Sequence, residues 1–73
     1  MQLNLLSCGQ DRPDRRAIAR TIEEIADGVD YNLANELTNI IIEGSPVEIE
    51  VSLNESSAFR SLRKLDIDYE IVE

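Results

Sequence analysis

The chain predicts an α+β domain of order β-α-α-β-α-β, with helices on one face of a three-stranded antiparallel sheet. Three observations carry this. Asp30 opens a run of helical spacing that stops at Glu43-Gly44-Ser45-Pro46. Immediately after it, Val47, Ile49, Val51 and Leu53 alternate with Glu48, Glu50 and Ser52, the period of a strand with one buried and one wet face. A second capped helix then begins at Asn54.

The elements follow in order. Leu3 and Leu5 share one parity, with Leu6 and Cys8 apolar on the other, so residues 1–8 form a mostly buried first strand that Gly9-Gln10 breaks. Asp11 caps the first helix, with Pro13 in its first turn, where a missing N–H costs nothing. Ala17, Ile18, Ile22, Ile25 and Ala26 recur at helical spacing, Arg20 can pair with Glu23 or Glu24, and Gly28 ends the helix. Asp30 caps the second helix, whose inward stripe is Leu33, Ala34, Leu37, Ile40 and Ile41. The third helix turns Ala58, Leu62 and Leu65 inward, with Phe59 beside them. The last strand runs from Ile67 to Val72, with Ile67, Tyr69 and Ile71 inward. One helix joins strands two and three, so these run the same way. Strand one fits between them, antiparallel to both. Glu48, Glu50, Asp68 and Glu70 then make the outer sheet face acidic. Leu5, Ile22, Leu37, Ile41, Ile49, Val51, Leu62 and Ile71 are the expected shared core.

Seventy-three residues, 1–73, make a single domain. A chain of this size buries only ~60% of its unfolded surface, so its core is near the lower limit. Apolar residues reach 42%, enough for a packed core rather than a disordered tail. The net charge of -8 and a pI near 4.3 repel a phosphate backbone and an anionic membrane. They suit a basic protein partner, or plain solvation of the surface. Cys8 is the sole cysteine, which excludes an intrachain disulfide and fits a reducing cytosol. The apolar stretch of residues 3–6 is too short for a signal peptide or membrane span. A cytoplasmic monomer is therefore expected.

No constellation points to catalysis. Absence of histidine removes the usual general base and common zinc sites. Cys8 has no base near it in sequence and reads as a structural thiol. Glu23, Glu24, Asp27 and Asp30 lack the spacing of a calcium loop and read as a solvated surface. Gly28 and Gly44 read as helix stops. No catalytic residue, metal ligand or cofactor is assigned, and the chain reads as non-enzymatic. The arginines stand apart. Arg12, Arg15, Arg16 and Arg20 gather at the start of the first helix, where the helix dipole disfavours them. Arg12, Arg16 and Arg20 are expected on one helical face. Arg60, Arg63 and Lys64 gather on the third helix. Either set is a contact site for an acidic partner surface, or part of a salt-bridged surface that offsets the acids.

Pro46 through Ala58, together with Glu43-Gly44-Ser45-Pro46 and the helix opened by Tyr31-Asn32-Leu33-Ala34-Asn35, resembles the C-terminal domain of the bacterial ribosomal stalk protein. The likeness covers roughly residues 16–73 and includes the element order. It implies a protein-interaction domain that recruits translational GTPases through its first two helices. On this chain that face would carry Arg12, Arg16, Arg20, Asn32 and Asn35. Asn32 and Asn35 stand where the family has lysines. A related fold belongs to the peptide-binding adaptor of the Clp protease, and Leu5-Leu6 through Asp11-Arg12-Pro13 has a similar outline to its first strand and loop.

The expected function is thus non-enzymatic binding of a partner protein through the first two helices, with a translation factor as the partner class the resemblance implies. One alternative is a protease adaptor with a peptide pocket beside residues 9–13. Another is an acidic mimic of nucleic acid, presenting Glu48, Glu50, Asp68 and Glu70 to a nucleic-acid-binding protein.

Overall fold

The computed structural model describes residues 1–52 and 55–72. Its elements are β1 (Gln2–Cys8), α1 (Arg15–Ile25), α2 (Tyr31–Ile42), β2 (Val47–Glu50), α3 (Glu55–Lys64) and β3 (Ile67–Val72). The sheet order is β2-β1-β3, with β1 central and antiparallel to both neighbours. Architecture, element order and strand order all agree with the expectation. The Leu53 and Asn54 expectations lie outside the described residues.

Local chemistry explains the helix ends. Asp30 accepts a hydrogen bond from the Leu33 N–H at 2.8 Å and caps α2 as expected. For α1 the cap is Asp14, not Asp11: the Asp14 carboxylate accepts from the Ala17 N–H at 3.1 Å. Both aspartates are competent caps. Starting after Asp14 still lets Ile18, Ala19 and Ile22 reach the core, all fully buried. Pro13 and Arg12 therefore precede the helix. At the end of α2, Gly44 donates to Ile41 at 3.0 Å and Ser45 to Ile40 at 3.1 Å. This double closure needs a left-handed residue, and Gly44 supplies it with φ 95°.

The two parities of β1 are reconciled by a bulge. Leu5 pairs with Tyr69, but Ser7 pairs with Asp68 and Cys8 with Ile67, so Leu6 is the extra residue. Leu3 and Leu5 before the bulge and Cys8 after it thereby sit opposite the inward-parity residues of β3. Cys8 is half-buried, and its thiol donates to the Leu65 carbonyl at 3.5 Å.

Leu3, Leu5, Ile18, Ile22, Ile41, Val51 and Leu62 form the fully buried centre, joined by Ile49. Three core expectations need correction. Ile71 is 53% exposed. It lies opposite Leu3, with the expected parity, but on an edge strand and four residues past the start of β3. Leu37 is only half-buried, packed against the core from its margin. Within α2, Leu33 and Ile40 are exposed, and Ala34, Thr38 and Ile41 face inward instead. The buried Thr38 hydroxyl donates to the Ala34 carbonyl at 2.7 Å, so it carries no unpaired polar group into the core. Regular β2 is also shorter than the alternation suggests. It ends at Glu50, and Val51 continues the pairing by donating its N–H to the Met1 carbonyl at 2.8 Å.

Candidate functional site

α1 and α2 pack against each other, and α2 also lies on β1 and β2. Arg15 near the start of α1 donates to the Asn39 side chain late in α2. The pair therefore runs as an antiparallel hairpin, with Arg20 at the level of Asn35. The linker between them is held to the sheet. Asp27 donates its N–H to the Glu50 carbonyl at 2.8 Å, and its carboxylate accepts from Ser52. Asp27 and Asp30 thus have structural work, one at the sheet end and one as a cap. Among the described residues, no group of three or more His, Cys, Asp or Glu is placed to hold a metal ion.

Of the sequence-predicted contact residues, Arg16 and Arg20 stand one turn apart on the exposed side of α1. Asn32 is exposed in the first turn of α2, and Asn35 is half-buried. Arg12 is exposed but lies before the Asp14 cap, so it does not share a helical face with Arg16 and Arg20. The helix starts one turn later than Asp11 would allow. The expected Arg20 pairing with Glu23 or Glu24 is absent. Among the described residues, the sole ion pair joins the Met1 ammonium to Glu50 at 3.3 Å. The arginines of α1 therefore do not belong to a salt-bridged lattice there.

Two features go beyond the contact residues named from the sequence, although the cations of the second were noted there. The first is an apolar ridge on α2. Leu33, Leu37 and Ile40 follow i, i+4, i+7 spacing, and Leu33 and Ile40 are 40% and 38% exposed. Asn39, which meets α1, lies on the other flank of the helix, so the ridge faces away from α1. The signal was present in the breadth of the apolar arc, five residues wide where one face needs about three. The second is on α3, where Ser56, Phe59, Arg60, Arg63 and Lys64 line an open groove of about 480 Å³. Residues 9–13 line none of it. The Phe59 and Tyr69 rings stack at 5.1 Å between centroids and 6° between planes.

The outer sheet face holds the acids as expected. Asn4 sits between Glu48 and Glu70 in the strand register and donates to Glu70 at 3.2 Å. No helix is long and apolar enough to cross a membrane among the described residues. Comparison with family models, curated proteins and solved structures finds no match for this chain.

Proposed function

We propose that the chain is a non-enzymatic protein-interaction domain that docks a partner protein across the exposed side of α2, from its outer flank over to α1. The observation that carries this is the ridge of Leu33, Leu37 and Ile40 on α2, where Leu33 and Ile40 are exposed and Leu37 is half-buried between them. Large apolar side chains exposed along one helical stripe favour a partner that covers them. Arg16 and Arg20 on the neighbouring helix add charge, and neither is paired with a carboxylate among the described residues. Asn32 and Asn35 share the Asn39 flank of α2, between the ridge and α1, and Arg12 would contribute from the preceding loop. A cytoplasmic setting suits the single cysteine. The likeness to the ribosomal stalk domain suggests a translation factor as partner. The asparagines in place of lysines favour a partner fitted to an apolar ridge over one recruited mainly by positive charge.

The test is capture of partners from the cells that make the protein, followed by quantitative binding. Arg16→Glu with Arg20→Glu weakens binding and flattens its salt dependence, with the fold intact by circular dichroism. Leu33→Ser with Ile40→Ser weakens it without changing the salt slope. Binding that survives both but fails with Glu48→Lys and Glu50→Lys replaces this reading with the acidic mimic, for which the sheet's outer carboxylates are the support.

A further inference from the structure

We propose that the groove on α3 is a second, separate docking site, and that it takes a short acidic peptide segment of a partner protein. Ser56, Phe59, Arg60, Arg63 and Lys64 recur at i, i+3, i+4, i+7 and i+8, so one side of a single helix carries them all. Beneath them Phe59 is half-buried and held flat against Tyr69 of β3. The result is an aromatic floor with cations along its wall.

Helix electrostatics explain part of this arrangement. Arg63 and Lys64 fall in the last turn of α3, where the dipole favours positive charge. They do not explain Arg60, nor why the cations flank an aromatic pair. Arg60, Arg63 and Lys64 are all exposed, and none meets a carboxylate among the described residues. The chain carries 15 acidic residues against 7 basic ones. Three of those seven in one groove make it a local exception to the charge of the whole surface.

That contrast selects the ligand. A nucleic acid carries charge along its whole length, about one per 1.7 Å of duplex, and would meet the surrounding carboxylates, including Asp68 and Glu70 on β3. A short acidic peptide confines its charge to the groove. Arginine binds carboxylates through two parallel hydrogen bonds, which favours this pairing over a diffuse ion cloud. Arg60 and Arg63 are about 5–6 Å apart at their Cβ atoms. Carboxylates at alternate positions of an extended peptide are about 6–7 Å apart, a near match. An apolar residue at the next alternate position, on the same side of the extended peptide, would lie on Phe59. The site is distinct from the α2 ridge. α3 packs on β3 and α1, whereas α2 lies over β1 and β2, towards the other edge of the same sheet face.

The experiment is an NMR titration of the isotope-labelled chain with a short peptide that carries glutamate at two alternate positions and phenylalanine at the next, so that all three share one side of the extended peptide. A lysine-for-glutamate peptide and a short oligothymidylate serve as comparisons. The expected result is amide shifts confined to residues 56–64 and Tyr69, which weaken as salt rises past about 0.1 M, where the Debye length is about 10 Å. Arg60→Glu with Arg63→Glu weakens the binding by about tenfold or more, and the β1 and α1 amides stay in place. Should that double variant perturb the fold, Arg60→Gln and Arg63→Gln separately give smaller losses of the same kind. The proposal is overturned if millimolar peptide leaves α3 unshifted, if the lysine peptide binds equally well, or if the oligothymidylate binds the groove more tightly. It also falls if the same shifts appear on concentrating the protein alone and vanish with Glu48→Lys, since a second copy would then fill the groove.

Discussion

α1 and α2 are neighbours of nearly equal length, 11 and 12 residues, but they finish their surfaces in different ways. α1 buries Ile18, Ala19 and Ile22 and turns Arg16, Arg20, Glu23 and Glu24 to solvent. That is the usual division for a surface helix. α2 buries Ala34, Thr38 and Ile41 and leaves Leu33 and Ile40 outside. Two of its three inward residues are small, and two of its larger apolar residues are exposed. Burial inside this chain alone does not favour that choice, since leucine gains more from leaving water than alanine does. Small inward residues take up little room between α2 and the strands β1 and β2 that it packs on. The larger ones are then displaced to the flank, where the burial they forgo within the chain is open to a partner.

The sharpest way to break this comparison is to truncate both edges of α2. Ile41→Ala is expected to cost roughly 2–5 kcal/mol, as are Ile22→Ala in α1 and Ile49→Ala in β2. In a domain whose whole stability is about 5–15 kcal/mol, each is a large fraction, visible as a much lower melting temperature. Ile40→Ala and Leu33→Ala should each cost less than about 1 kcal/mol by the same thermal melts. Equal losses at Ile40 and Ile41 would mean that the helix is rotated from the described orientation.

Thr38 sharpens the point about small inward residues. Thr38→Leu should overfill the space under α2 and cost about 1–3 kcal/mol. Thr38→Val keeps the shape and removes a hydroxyl that bonds only within its own helix, so urea unfolding should change by less than about 1 kcal/mol. A stabilising leucine would show that room is left between the helix and the sheet there. A smaller effect is expected at the end of α2. Gly44→Ala forces a side chain into the left-handed region at φ 95°, with open space around the added atom, so the loss of about 1 kcal/mol is conformational and not steric.

The parts of the fold legible in the sequence are those set by local chemistry. Asp30 caps, Gly44 closes, and Val47, Ile49 and Val51 alternate whatever lies around them. The parts that were not legible depend on partners distant in sequence. The bulge at Leu6 exists because β1 must serve β3 with both Leu5 and Cys8 turned toward the same layer. Asp11 and Asp14 are equivalent as caps in isolation, and only the position of Ile18 and Ile22 against the sheet separates them. Ile71 has the right parity but lies near the far end of β3, whereas Ile67 at its start is buried. The candidate site divides in the same way. Arg16, Arg20, Asn32 and Asn35 were named from residue type and spacing and lie on the elements expected, whereas Arg12 falls before the helix because the cap is Asp14. The ridge of Leu33, Leu37 and Ile40 was hidden because all five apolar positions of α2 fit a helical stripe. Which edge of that stripe faces inward was decided by β1 and β2.

Site-specific photo-crosslinking in the cells that make the protein tests the role of this ridge most directly. A photoreactive residue replaces Leu33, Ile40 or, on the sheet's outer face, Glu70. The prediction is one defined adduct from positions 33 and 40, weakened by Arg16→Glu with Arg20→Glu, and none from position 70. An adduct from position 70 with nothing at 33 or 40 would contradict the assignment of function to the α1–α2 face.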